Sequence, residues 1–272
     1  MRYNEKPYVR HNKRSYGINL QSVLPVRAYP YEVGEQVTQL LFGEVFEILL
    51  DSGEWCKIKN YTDEYVGWAN VGAPVRISLK EYMEIISNRP FILNSFTGKI
   101  RSLKSGESMY LSKGSLIHFY YEKEKTFGFG KHIYKCLEGD FVSLVDCPDS
   151  LLQTAKSFLN VPYLWGGKNV FGMDCSGFVQ LVFRLHSVIL PRDAKDQFEE
   201  GVEVASADIR EKDVAFFKDM DGRIVHVGIM LNQKQIIHAS GKVKIDSLDE
   251  IGIFSEDLKK YTHILCGFKR YK

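Results

Sequence analysis

No apolar run in this 272-residue chain is long enough to cross a bilayer, and the first ten residues, Met1-Arg-Tyr-Asn-Glu-Lys-Pro-Tyr-Val-Arg, lack the apolar core of a secretory signal. The expectation is a cytoplasmic protein with no membrane insertion, although a chain whose export signal had been removed would read the same. Charge of one sign is also missing. A net charge of +2 gives no field strong enough to gather nucleic acid or anionic lipid, and mixed runs such as Glu122-Lys-Glu-Lys read as solvated turns. No C-x-x-C pair occurs, and five cysteines (Cys56, Cys136, Cys147, Cys175 and Cys266) cannot all pair within one chain. Neither a disulfide scaffold nor a zinc ribbon is expected. Cys56, Cys136 and Cys266 sit in strand-like apolar runs, where buried inert thiols are expected.

With 44% hydrophobic and 26% charged residues the composition is that of a globular protein, and the length suggests two or three domains. From Leu20 to Val71 short strand-like runs (Val37-Thr-Gln-Leu-Leu-Phe, Val45-Phe-Glu-Ile-Leu-Leu, Trp55-Cys-Lys-Ile-Lys, Tyr65-Val-Gly-Trp-Ala) are broken by glycine turns, which predicts a small β-barrel. Phe91 to Val145 repeats the style more loosely, predicting a second one. Between them Leu79, Tyr82, Met83 and Ile86 recur at helical spacing, with Ser78 as N-cap and Glu81 completing a capping box. Beyond Asp146 the texture changes. A helix is expected over Leu151, Leu152, Ala155, Phe158 and Leu159, and a second opens at Asp174 or Cys175. Four strands are expected after Pro191, around Val214, Ile224, Gln235 and His263. Helices followed by a strand meander argue for an α+β domain. The expected division is 1–76, 77–146 and 147–272.

The stretch Tyr163-Leu-Trp-Gly-Gly-Lys-Asn-Val-Phe-Gly-Met-Asp-Cys-Ser-Gly-Phe-Val sets Cys175 between a glycine-rich loop and a helix. A helix start offers unpaired N–H groups and a positive dipole end, both of which lower a thiol pKa, so Cys175 is a candidate nucleophile. Such a thiol needs a base, and the base needs an orienting group. In Ile224-Val-His-Val-Gly-Ile-Met-Leu alternation leaves His226 beside Gly228, whose missing side chain offers room for a helix or substrate. His238 lies on the next strand, and a turn at Asn232-Gln-Lys-Gln would bring the two rings onto one face. A lone strand histidine is more often structural, and a lone helix-start cysteine is weak as well. The order cysteine, strand histidine, next-strand histidine is much less common by accident. His11, His118, His132, His186 and His263 have no such partners and are assigned structural roles. Zinc held by Cys175, His226 and His238 is the metal alternative, but no fourth ligand is evident and no metal or other cofactor is expected. Asp219-Met-Asp-Gly-Arg lacks the rest of a calcium loop and reads as a turn.

At Tyr163–Gly167, Asp174–Val179, His226–Ile229 and His238 the chain resembles the NlpC-type branch of papain-like cysteine peptidases, all four blocks of which are present. The resemblance implies an α+β catalytic domain of helices packed on an antiparallel sheet, preceded by two SH3-like barrels. It implies Cys175 as nucleophile, His226 as base and His238 as orienting partner. The Cys175 N–H and the Tyr163 hydroxyl would stabilise the oxyanion. With the barrels, the arrangement further resembles the subgroup of γ-D-glutamyl-L-diamino acid endopeptidases, which Leu190-Pro-Arg-Asp-Ala and Gln39-Leu-Leu-Phe-Gly-Glu support. That likeness implies cleavage of murein peptides with an unblocked N-terminal L-Ala, through a thioester. The free amine would be held by Asp174, Ser176 and Asp193, with Trp165 nearby and Glu44 and Tyr65 from the first barrel; Ala194 stands where the subgroup commonly has Ser. The expected partner is a murein tripeptide or stem peptide, and the protein is expected to be a monomer. The other readings are a hydrolase of intact wall anchored by its barrels and a non-catalytic wall-peptide binder.

Overall fold

The computed structural model describes residues 15–70, 72, 75–143, 148–255 and 258–272, so Cys147 and His11 lie outside the described residues. Two compact units result, Met1–Ser143 and Leu144–Lys272.

In the first unit the strands β1 (Ser15–Ile18), β2 (Val23–Arg27), β3 (Gln36–Leu41), β4 (Val45–Asp51), β5 (Trp55–Asn60), β6 (Val66–Asn70) and β7 (Val75–Ile77) form one antiparallel sheet, ordered β3-β2-β6-β5-β4-β1-β7. Period-two alternation buries Leu24, Val26, Leu40, Phe46, Ile48, Ile58 and Ala69 in one cluster. Helix α1 (Leu79–Ser87) starts at Ser78, and the expected capping box with Glu81 is present. Its buried face differs from the expected one. Tyr82 and Ile85 face the core, while Leu79 and Met83 are 56% and 49% exposed. The Tyr82 ring sets this rotation by stacking on Tyr16, with ring centres 4.2 Å apart.

The remaining strands of this unit are β8 (Phe91–Leu93), β9 (Thr97–Ser102), β10 (Ser108–Ser112), β11 (Leu116–Ile117), β12 (Thr126–Phe129), β13 (His132–Glu138) and β14 (Phe141–Ser143). They make two small antiparallel sheets, β10-β9-β13-β12 and β11-β8-β14. One apolar cluster joins Tyr16, Ile18, Phe42 and Tyr82 to Leu93, Ile100, Phe127 and Tyr134. The expected division at 76/77 runs through this core.

The second unit begins with α2 (Leu151–Ser157), capped by Ser150 and Gln153, and a short hairpin of β15 (Lys168–Asn169) and β16 (Gly172–Met173). Helices α3 (Cys175–Arg184) and α4 (Ala194–Glu200) follow, then β17 (Val202–Val204), β18 (Val214–Lys218), β19 (Ile224–Asn232), β20 (Gln235–Ser240), β21 (Lys242–Leu248), β22 (Gly252–Ser255) and β23 (Lys260–Arg270). The sheet order is β17-β23-β18-β19-β20-β21-β22, and β22 also pairs with β23. The six strands β18 to β23 therefore close on one another as a barrel around Ala215, Phe217, Met230, Ile236, Leu248 and Ile253. Four of these strands are expected from the sequence; β21 and β22, which close the ring, are not. Every residue of α3 is buried, and the helix packs on β19 and β20. Cys56 and Cys136 are buried, with burial pushing their thiols up to about 11 and about 12, as suits inert sulfur. Cys266 is exposed, contrary to expectation, because alternation along β23 turns it out of the barrel.

Candidate active site

The nucleophile position is built from the chain before it. Tyr163 bridges to Met173, the Gly167 N–H donates to the Leu164 carbonyl, and the Asp174 N–H donates to the Gly167 carbonyl, folding the glycine loop against the start of α3. Asp174 is the N-cap: its carboxylate accepts the Gly177 N–H at 2.7 Å and the Gly166 N–H at 2.8 Å. The same carboxylate meets Arg192 through Nη1 at 3.0 Å and Nη2 at 2.6 Å, and Arg192 Nη1 also donates to Ser176 Oγ at 2.8 Å. Gly177 is obligatory here. A Cβ on it would lie 2.4 Å from the Gly167 carbonyl oxygen and 2.9 Å from Asp174 Oδ1. Asp174 and Ser176 thus sit where the sequence puts them, beside the thiol, but Asp174 is a cap and half of a buried ion pair. Arg192 has no role in the sequence reading; its signal is its place before Asp193 in Leu190-Pro-Arg-Asp-Ala.

The Cys175 thiol departs from the expectation of a lowered pKa. Burial pushes it up to about 12 and the nearby Asp174 charge adds to this, while Arg192 and the N–H groups of Ser176 and Val227 pull it back. Desolvation outweighs the helix dipole because Cys175 is only 7% exposed. The helix that carries the thiol packs on β19, the strand of His226 and Val227. Tyr163 is half-buried, and burial, Cys175 and Asp174 all raise its hydroxyl pKa, so it is a protonated donor near the thiol.

On β19 and β20 the two predicted rings do meet. Gly228 pairs with His238, so His226, two residues along, shares the face from which His238 projects. His226 Nε2 and His238 Nδ1 are 2.8 Å apart. Gly228 leaves no room for a substrate, since the space a side chain would take holds His238 Cβ and Ile236, each 2.7 Å from an added Cβ. His238 Nε2 lies 3.1 Å from Asp246 Oδ2, which also takes Lys244 Nζ at 2.9 Å. His263, assigned a structural role from sequence, stacks on His226 with centres 4.0 Å apart and planes at 25°. Burial lowers all three histidines, His226 furthest, with His238 and His263 adding to that shift; His263 falls to about 4. The resting pair is therefore a thiol and a neutral imidazole. Among the described residues no group of His, Cys, Asp and Glu is arranged to hold a metal ion.

A buried helix-start cysteine, a glycine loop and a two-histidine line on a closed barrel are one arrangement with a family match. Residues 160–261 match the NlpC/P60 family, and residues 26–73 match the bacterial dipeptidyl-peptidase SH3 domain. Residues 160–261 are an NlpC/P60 cysteine peptidase domain. The chain is 29% identical to the γ-D-glutamyl-L-lysine dipeptidyl-peptidase of Bacillus subtilis, over 86% of this chain and 80% of that protein. It is 26% identical to the Bacillus cereus protein of the same name, over 80% and 72%. A probable endopeptidase p60 of Listeria seeligeri is 33% identical over 38% of this chain and 20% of its own length. An NlpC/P60 family protein of Bacillus cereus shares the fold with a TM-score of 0.80 at 21% identity, over 94% of this chain and 99% of that one.

The structure gathers Tyr163, Asp174, Cys175, Ser176, His226 and His238 within the NlpC/P60 domain. Trp165 is 60% exposed on the glycine loop, and Asp193 stands at the N-cap of α4 without capping it through its side chain. Glu44 and Tyr65 belong to the first unit. Glu44 is fully buried in the β3–β4 turn, where its carboxylate accepts the Leu41 N–H; Tyr65 is half-buried and its N–H donates to Asp63 Oδ1.

Proposed function

We propose that this protein is a cysteine endopeptidase that hydrolyses the γ-D-glutamyl–L-diamino acid bond of murein peptides carrying a free N-terminal L-Ala. The observation that best supports this reading is the extent of the likeness. The two relatives named as γ-D-glutamyl-L-lysine dipeptidyl-peptidases align over 86% and 80% of the chain, more than either unit alone.

Cys175 is the nucleophile. As its sulfur attacks the γ-carbonyl carbon of D-Glu, its proton passes to His226, whose imidazole burial keeps neutral and ready to accept it. The oxyanion is met by the Cys175 N–H, a first-turn group without an intrahelical partner, and by the Tyr163 hydroxyl. Collapse breaks the C–N bond, His226 returns its proton to the leaving amine, and the L-diamino acid departs. Water, deprotonated by His226, then attacks the thioester and frees L-Ala-γ-D-Glu and the thiol. The ammonium of L-Ala is assigned to the carboxylate of Asp193 at the start of α4, with Ser176 and Trp165 as further pocket residues, while the Asp174 carboxylate is held by Arg192.

The test is incubation with L-Ala-γ-D-Glu-diaminopimelate and its N-acetylated form, with products followed by mass spectrometry. The free peptide should yield L-Ala-γ-D-Glu and the blocked one should not. Equal cleavage of both would remove the amine requirement, and full activity in Cys175→Ala would remove the mechanism.

A further inference from the structure

The hydrogen-bond line behind the base does not end at His238. β21 pairs with β20 in a register that sets His238 opposite Lys244 and Ile236 opposite Asp246, so all four side chains leave the sheet on one face. His238, at 0% exposure, reaches diagonally to Asp246, and Lys244 closes over the same carboxylate oxygen. An ionised carboxylate only accepts hydrogen bonds. Burial raises the Asp246 carboxyl, but the bonds from His238 and Lys244 outweigh it and hold the carboxyl below its ordinary value. Asp246 therefore requires the His238 proton on Nε2. In the neutral ring Nδ1 is then an acceptor, so His226 must place its own proton on Nε2. The nitrogen left with a lone pair on His226 is Nδ1.

We propose that Asp246 is a positioning residue of the peptidase reaction: through His238 it fixes the tautomer in which His226 Nδ1 receives the thiol proton. Lys244 keeps the carboxylate charged and aimed. The inference rests on the reading of Cys175 and His226 as nucleophile and base, and its test needs no murein peptide.

Alkylation of Cys175 by iodoacetamide, followed by mass spectrometry on the peptide that contains it, reports the base directly. Asp246→Ala should slow it at least tenfold and Asp246→Glu should recover part of the loss. His238→Ala should slow it comparably, and the double variant should be no slower than His238→Ala alone. Equal slowing by Asp246→Ala with and without His238 would show that the carboxylate acts by another route, and no slowing in a folded variant would overturn the proposal. Should the variants not fold, 15N shifts of the histidine rings in the unaltered protein decide the matter. Protons on Nε2 of both His226 and His238 are expected; a proton on Nδ1 of His238 refutes the assignment. Asp246-dependent alkylation in a protein that cleaves no murein peptide would leave this role standing and sink the substrate reading instead.

Discussion

Arg192 and Asp174 form a two-pronged ion pair beneath the first turn of the nucleophile helix, with the Arg192 side chain 1% exposed. Such a pair is weak evidence for net stability, because desolvation of two charges offsets their attraction. Losing one partner is a different matter. Arg192→Met should leave the buried carboxylate uncompensated and cost about 3–5 kcal/mol, read as a fall in the urea midpoint at unchanged m-value. Arg192→Lys keeps the charge without the fork and should lie in between.

Gly228 carries the second prediction. An added Cβ would meet both His238 Cβ and Ile236 Cδ1 at 2.7 Å in a fully buried layer. Gly228→Ala should destabilise by about 1–3 kcal/mol through overpacking. The displaced His238 should also lower kcat more than it raises KM. A variant with lowered stability but wild-type kcat would show that Ile236 gives way and His238 does not.

The residues proposed as nucleophile, base and orienting partner were legible because each carries a local mark: a cap before Cys175, a glycine beside His226, a turn between the two histidine strands. Of the supporting residues, Arg192 is marked by its place before Asp193, and Asp246 and His263 carry no mark. Asp246 lies in Lys242-Val-Lys-Ile-Asp-Ser-Leu, a good alternating strand whose pairing with His238 is visible only once β20 and β21 are in register. His263 reaches His226 only because β22 and β23 close the barrel, a long-range pairing that periodicity does not encode. The sign of the Cys175 shift also depends on tertiary burial, which sequence spacing alone does not reveal. The capping box at Ser78 was readable, but the face of α1 that is buried was decided by Tyr16.

The depressed histidines set the pH response. Each ring titrates near 6.5 when unfolded and at lower pH when folded, so the unfolded chain binds more protons between those values. Their contribution to stability is full above about 6.5 and is lost as pH falls toward the folded values, which for His263 is about 4. Tm should therefore drop between pH 6.5 and 4, and less steeply in His263→Phe. The acid limb of kcat/KM, which reports the free enzyme, should lie below 6.5 because His226 is held neutral.

His263 itself gives the last prediction. Its ring lies nearly parallel on His226, and its Nδ1 is held 2.9 Å from Thr262 Oγ1, so it presents a fixed flat wall to the base. Removing that wall frees one side of a ring whose aim decides proton transfer, and small misplacements at reacting atoms cost heavily. His263→Ala should lower kcat about ten- to a hundredfold with little change in KM. His263→Phe restores the face without the nitrogens and should retain most of the activity. If both variants lose activity equally in steady-state assays, a ring nitrogen of His263 is the feature that matters and the wall is not.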